Sequence, residues 1–143
     1  MKTHDIMEWY SAEELHKASQ NWLVELEFIK DEQLFFEDLL TSYTLKLIDT
    51  IGFIDDIKII DALKLSQKRN DTIIKTVKKH DKNLKILLDG VDQPEEEKLY
   101  KKEHRNLMNL INEHLKDYKI LKTQLFTTLK KVFKKEKQKR LTS

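Results

Sequence analysis

The sequence predicts an all-α fold: an elongated antiparallel three-helix bundle that runs up, down and up with coiled-coil-like packing. Its 143 residues, expected to form a single domain over 1–143, include only two glycines and one proline. Closely spaced turns, as in β-sandwiches or glycine-rich nucleotide-binding folds, need many more. Charged residues make up 36% of the chain, against roughly a quarter in ordinary globular domains. Apolar residues recur at alternating steps of three and four, as in helices that pack against one another.

The first helix is expected from residue 11 to about residue 50, after a short N-terminal segment, residues 1–10. Ser11 is a suitable N-cap and Glu14 follows three residues later, which is the pattern of a capping box. The segment 41–44, Thr-Ser-Tyr-Thr, is the least regular part of this helix because hydroxyl side chains compete for backbone hydrogen bonds.

The second helix is expected over about 55–89. Gly52 lies in the turn before it, and Asp55 or Asp56 is placed to cap its first turn. Gly90 follows its last residue and is expected to end it in a left-handed conformation.

The third helix is expected over about 94–139. Pro94 suits the first helical position, where a missing N–H costs nothing. The three glutamates that follow it complement the positive end of the helix dipole.

Polar residues interrupt the apolar stripes at positions expected to face the core: Glu25 and Glu32 in the first helix, Gln67, Asn70, His80 and Asp81 in the second, His104 and His114 in the third. Facing residues of an antiparallel hairpin have numbers with a constant sum, about 104 for the first turn and about 185 for the second. This register groups Glu25 with His104 and with His80 or Asp81. It groups Glu32 with Asn70 and His114.

Two hypotheses fit these layers. Glu25, Glu32, His104 and His114 are candidates for a metal or small-ligand site, or the layers are structural and fix the register of the helices. Di-iron bundles repeat Glu-x-x-His on two helices, whereas this chain has one such pair, Glu13 and His16. Glu25 and Glu32 also lie about 10 Å apart along the axis, too far for one mononuclear centre. We therefore expect structural layers and no cofactor. If His104 lies against Glu25, this contact raises the pKa of His104.

Two surfaces are candidates for partner binding. Leu23, Phe28, Leu34 and Phe35 lie off the main stripe of the first helix, and unsupported apolar side chains of this kind usually have a partner. The second surface is the basic end of the third helix, where nine basic residues and one acidic residue fall between 119 and 140. Its candidate lysines are Lys130, Lys131, Lys134 and Lys135.

The basic end also permits weak nucleic-acid binding or attachment to an anionic membrane surface. Only one of its nine basic residues is arginine, the residue suited to bidentate contacts. A solvated helix face that lies opposite an acidic first helix explains it better, since residues 1–56 carry 13 acidic and 4 basic side chains.

The sequence shows no phosphate-binding loop, zinc-protease motif or nucleophile elbow, and we expect no enzymatic activity. No apolar run approaches the roughly 20 residues of a membrane span, and the first residues lack the apolar core of a secretory signal. A cytoplasmic protein without a transmembrane segment is expected.

The stretches WYSAEELHKASQNWLVELEFIKDEQLFFEDLL and VFKKEKQKRL resemble those of uncharacterised small bacterial proteins made of long coiled-coil-like helices. The resemblance implies a bacterial cytoplasmic setting and no activity, cofactor or substrate. The function expected from the sequence is therefore a non-enzymatic helical scaffold or protein–protein interaction module that self-associates, for instance as a homodimer. A ligand-binding bundle and a weak nucleic-acid binder are the alternatives.

Overall fold

The described part of the chain folds into three α-helices. The computed structural model describes residues 11–43, 53–90 and 93–142, without the side chains of 53–57. Within these residues α1 spans Ala12–Ser42, α2 spans Phe53–Asp89 and α3 spans Pro94–Thr142, and there is no strand. The predicted all-α three-helix bundle is confirmed. Gly52, expected in the first turn, lies outside the described residues.

The start of α1 is as predicted, but its end is earlier. Ser11 Oγ accepts a hydrogen bond from the Glu14 N–H at 3.2 Å, so Ser11 is the N-cap. The helix ends at Ser42, and the Tyr43 N–H closes it on the carbonyl of Leu39 at 3.0 Å. The end expected near residue 50 is therefore wrong, and the helix ends within the hydroxyl-rich segment.

Both ends of α2 differ from the expected helix bounds or caps. Because α2 begins at Phe53, Asp55 and Asp56 lie inside its first turn and are not its cap. Gly90 follows the last helical residue as predicted, but its φ angle is outside the left-handed region. Its N–H bonds to the Leu87 carbonyl at 3.3 Å, and the Gln93 side chain occupies the space that a Cβ would need.

Contacts between the helices establish the up-down-up order. Along the α1–α2 interface, His16 meets Asp81 while Gln33 meets Ser66, so residue numbers rise along one helix as they fall along the other. The α2–α3 interface has the same antiparallel sense. Between α1 and α3 the numbers rise together, since Trp22 stacks on His104 and Tyr43 packs against Phe133.

The core lies in three apolar clusters along the bundle. The largest is built around Phe36, Leu63 and Leu125, one from each helix. The middle cluster contains Leu26, Val77 and Ile111, and a small one at the far end contains Leu15, Leu84 and Tyr100. None of the described helices combines the length and the apolar character that a membrane span requires.

Truncation of Leu125, which is fully buried, tests the largest cluster. We expect Leu125→Ala to lower the free energy of unfolding by about 3 kcal/mol, because lost burial and a residual cavity both cost stability. Leu141, in the same helix, is 76% exposed, and Leu141→Ala should change it by less than about 0.5 kcal/mol. Urea denaturation followed by circular dichroism measures both, and equal effects would contradict the assignment of the core.

Candidate functional site

The first polar layer is a pair of buried histidines. His80 Nε2 of α2 and His104 Nδ1 of α3 are 2.8 Å apart, so one ring nitrogen donates a hydrogen bond to the other. The pair is enclosed by aromatic rings. Trp22 of α1 stacks on His104 at 4.6 Å between ring centroids, and Tyr100 stacks on His80 at 4.1 Å.

Asp81 faces a different neighbour from His80. Its carboxylate accepts hydrogen bonds from the His16 ring at 2.7 Å and from the Gln20 amide at 2.9 Å. Consecutive residues of a helix do not share a face, so His80 points to α3 and Asp81 to α1. The sequence left open which of the two belongs to the layer of His104, and the structure shows that it is His80.

Burial keeps both histidines neutral near pH 7. It lowers the pKa of His80 against the weaker opposing effect of the Asp81 charge. Burial, followed by repulsion from His80, lowers the pKa of His104 to about 4. The expected contact with Glu25 is wrong, since Glu25 is exposed on the surface of α1. The expected rise in the pKa of His104 is wrong for the same reason.

The second polar layer is built around Asn70. Its amide nitrogen donates to the backbone carbonyl of Leu26 at 2.9 Å, and its amide oxygen lies 3.0 Å from His114 Nε2. An amide oxygen only accepts, so the His114 proton is on Nε2. Burial, and then the nearby charge of Arg69, lowers the pKa of His114. The expected layer of Asn70 and His114 is confirmed, with Leu26 as its α1 member.

Glu32 does not join that layer. It is half-buried at the α1–α3 interface, where it accepts a hydrogen bond from the Tyr118 hydroxyl at 2.7 Å and pairs with Lys122 at 3.2 Å. Burial, with this hydrogen bond second, raises the pKa of Tyr118. The buried polar residue of α1 at this height is Gln33, whose amide donates to Ser66 Oγ at 3.0 Å.

The seam of α1 explains why the two glutamates were misplaced. The buried positions are Leu15, Ser19, Leu26, Ile29, Gln33, Phe36 and Leu40, and together with the half-buried Trp22 they follow one another at alternating steps of three and four. The expected seam took a step of three after Leu15 and therefore reached Glu25 and Glu32. A signal was available, because a buried hydroxyl or amide costs less than a buried carboxylate.

The four candidate metal ligands do not converge on one point. His104 and His114 belong to different layers, Glu25 is exposed, and Glu32 has Tyr118 and Lys122 as partners. Over the described ranges, no group of three or more His, Cys, Asp or Glu side chains is arranged to hold a metal ion. Two buried hydroxyls, of Ser19 and Tyr100, find no hydrogen-bond partner in the same ranges.

The apolar residues expected on the partner-binding surface of α1 fall into three places. Leu23 is half-buried against the middle core cluster, so it is not part of an exposed patch. Leu34 is exposed on the side that faces α2, beside Gln33 and Lys64. Only Phe28 and Phe35, 65% and 58% exposed, share a face. Of the candidate lysines, Lys130, Lys131 and Lys134 are exposed and Lys135 is half-buried.

Sequence reasoning missed two members of the exposed apolar surface, Phe126 and Phe133 of α3. The Phe126 ring packs edge-on against Phe36 at 5.1 Å, and Phe36 neighbours Phe35 at 6.3 Å. We call Phe28, Phe35, Phe126 and Phe133 the aromatic face. The seven-residue spacing within each helix was the signal that could have revealed it.

Comparison with known proteins adds no relative. No protein-family model, curated protein or solved structure matches this chain.

The buried histidines predict a loss of stability in acid. In the unfolded chain His104 takes up a proton near pH 6.5, whereas in the folded chain its pKa is about 4. The free energy of unfolding therefore keeps its full value above pH 6.5, where His104 is neutral in both states. It decreases as the pH falls from 6.5 towards 4, because only the unfolded chain takes up the proton. This loss amounts to about 2 kcal/mol at pH 5, and His80 and His114 add to it with the same sign. Urea denaturation between pH 7.5 and pH 5 measures it.

The variant His104→Leu isolates one member of the histidine pair. It is expected to be less stable than the wild type at pH 7.5, where His80 loses its partner, but to lose less stability on acidification. Parallel stability profiles for variant and wild type would exclude His104 as a source of the acid effect.

The two hydrogen bonds of Asn70 lead to a second prediction about stability. We expect Asn70→Leu to lower the free energy of unfolding by about 2 kcal/mol, because it leaves His114 Nε2 buried without a partner and removes the side-chain hydrogen bond to the Leu26 carbonyl. The exposed Asn109 offers a matched control, and Asn109→Leu should change stability by less than about 0.5 kcal/mol. A tolerated Asn70→Leu would show that the layer is dispensable.

Proposed function

We propose that this chain is a non-enzymatic, coiled-coil-like helical scaffold or protein–protein interaction module that self-associates in the cytoplasm. The observation that carries the proposal is the aromatic face. Four phenylalanines, two on α1 and two on α3, are each at least 41% exposed. Contiguous exposed apolar surface of this kind marks interaction sites.

The distribution of charge supports association between copies. The residues of α1 include eight acidic and two basic side chains, whereas those of α3 include seven acidic and fourteen basic ones. Surfaces of opposite sign attract each other and orient an encounter between molecules. Both surfaces are present on every copy, so the chain is its own complementary partner.

The polar layers favour a structural role over ligand binding. Asn70, His80, His104 and His114 take up their hydrogen bonds within the bundle, and Glu32 and Asp81 are bound by residues of neighbouring helices. Buried polar contacts of this type specify register. The basic end of α3 contains one arginine among its nine basic residues, which weighs against specific recognition of nucleic acid.

Self-association is tested by light scattering coupled to size exclusion over about a hundredfold range of protein concentration. We expect a mass above the 17.2 kDa of one chain that increases with concentration. Metal analysis by mass spectrometry on the same fractions tests the alternative. A strict monomer at every concentration would contradict the proposal, and a monomer with stoichiometric metal would establish the ligand-binding alternative in its place.

A further inference from the structure

We infer that two copies of this chain associate through the aromatic face about a two-fold axis parallel to the helices, so that α1 of each copy lies against α3 of the other. This inference rests on the proposed function and adds the surface and the geometry. Three observations carry it: the continuity of the aromatic face, the charges beside it and the heights at which residues of α1 and α3 lie.

The aromatic face is continuous across the two helices. Phe36 contacts both Phe35 and Phe126, and Tyr43 packs edge-on against Phe133 at 5.1 Å. The exposed rings therefore stand on a layer of aromatic residues that joins α1 to α3. A second copy placed on this face would bury all four exposed phenylalanines, and aromatic residues are enriched in the cores of interfaces.

Charges on either side of the aromatic face have opposite sign. Asp31 lies between Phe28 and Phe35 on the outer surface of α1, and Lys119 lies two turns before Phe126 on α3; both are exposed. Residues three, four or seven apart share a helix face. The acidic edge of the aromatic face thus belongs to α1 and the basic edge to α3.

These charges select the symmetry axis. A two-fold axis perpendicular to the helices would place α1 against α1, so that acidic edges would repel each other. An axis parallel to the helices places α1 against α3 of the second copy at equal height. Glu32 is level with Tyr118 and Phe36 with Phe126, so Asp31 would face Lys119 of the second copy. Phe35 would then lie beside Phe126 of that copy.

The whole side of the bundle formed by α1 and α3, which includes the aromatic face, is large enough for a stable dimer. The 31 residues of α1 extend about 46 Å, and two adjacent helices present a face about 20 Å wide. This gives roughly 900 Å² per copy, comparable with the roughly 800 Å² per partner of standard interfaces.

The groove between α2 and α3 fits a second copy less well, although it also exposes aliphatic residues such as Leu65 and Ile120. The groove is concave, and two concave surfaces leave a void when they are brought together. Its charges are also paired within one chain, since Arg69 and Asp117 are 2.9 Å apart across it. Residues of this groove therefore serve as controls.

The experiment uses two opposite charge reversals in the full chain, Asp31→Lys and Lys119→Glu. Each variant alone places like charges opposite each other twice in its dimer, and we expect its dissociation constant to rise at least about tenfold at low salt. Mixed in equal amounts, the two variants should form a dimer near wild-type affinity, because each substituted position then faces the opposite charge. Asp61→Lys, the same change on the exposed surface of α2, should have no effect.

Sedimentation equilibrium of the single variants, their mixture and the control measures these constants. Phe35→Glu and Leu65→Glu add an apolar test, since both side chains are exposed and neither change should alter the helix content seen by circular dichroism. We expect Phe35→Glu to dissociate the dimer and Leu65→Glu to leave it intact. A wild-type oligomer with no recovery in the mixture, or one that persists in Phe35→Glu, would overturn this geometry and leave the proposed function in place. A wild-type monomer would overturn both.

Discussion

A polar atom that is buried without a partner costs roughly 1 to 3 kcal/mol, and this constraint governs how the three helices align. Asn70 shows this effect most clearly, because its side chain hydrogen-bonds both to the backbone of α1 and to His114 of α3. A shift of α2 against α3 by one turn would separate Asn70 from His114. The apolar clusters alone tolerate such shifts far better, because hydrophobic contacts are not directional.

The same constraint sorts the ionisable groups by depth. The histidines, which are neutral when buried, occupy the centre of the bundle, where they bond to each other or to an amide. The carboxylates of Asp81 and Glu32 lie at the edges between helices, and each is held by donors from a neighbouring helix. A carboxylate in place of His104 would bring its charge into a fully buried position, and its desolvation would oppose folding.

The sequence was sufficient for the fold because glycine and proline are scarce and the apolar period is long. It was also sufficient for the register between α2 and α3, since Gly90 and Pro94 fix the turn and thereby bring His80 to His104 and Asn70 to His114. The α1 seam was ambiguous, because apolar residues follow two adjacent stripes and both contain Trp22, Ile29 and Phe36. Only packing against the other helices decides between Gln33 and Glu32 as the buried residue. The cap of α2 and the conformation of Gly90 depend on local turn geometry, which composition does not specify.

The polar layers in the interior are neutral, so the charged residues of the bundle lie outside them. Because the polar layers carry no net charge near pH 7, the charged residues of the bundle either pair with one another at the helix edges, as Arg69 does with Asp117, or face solvent. The excess of acidic residues on α1 and of basic residues on α3 is therefore not needed to hold polar groups in the core. Within one chain, Glu32 and Lys122 use a small part of it. Asp31 of α1 and Lys119 of α3 are exposed beside the phenylalanines, and in the proposed dimer an apolar contact would supply affinity while these opposite charges would determine which helices meet.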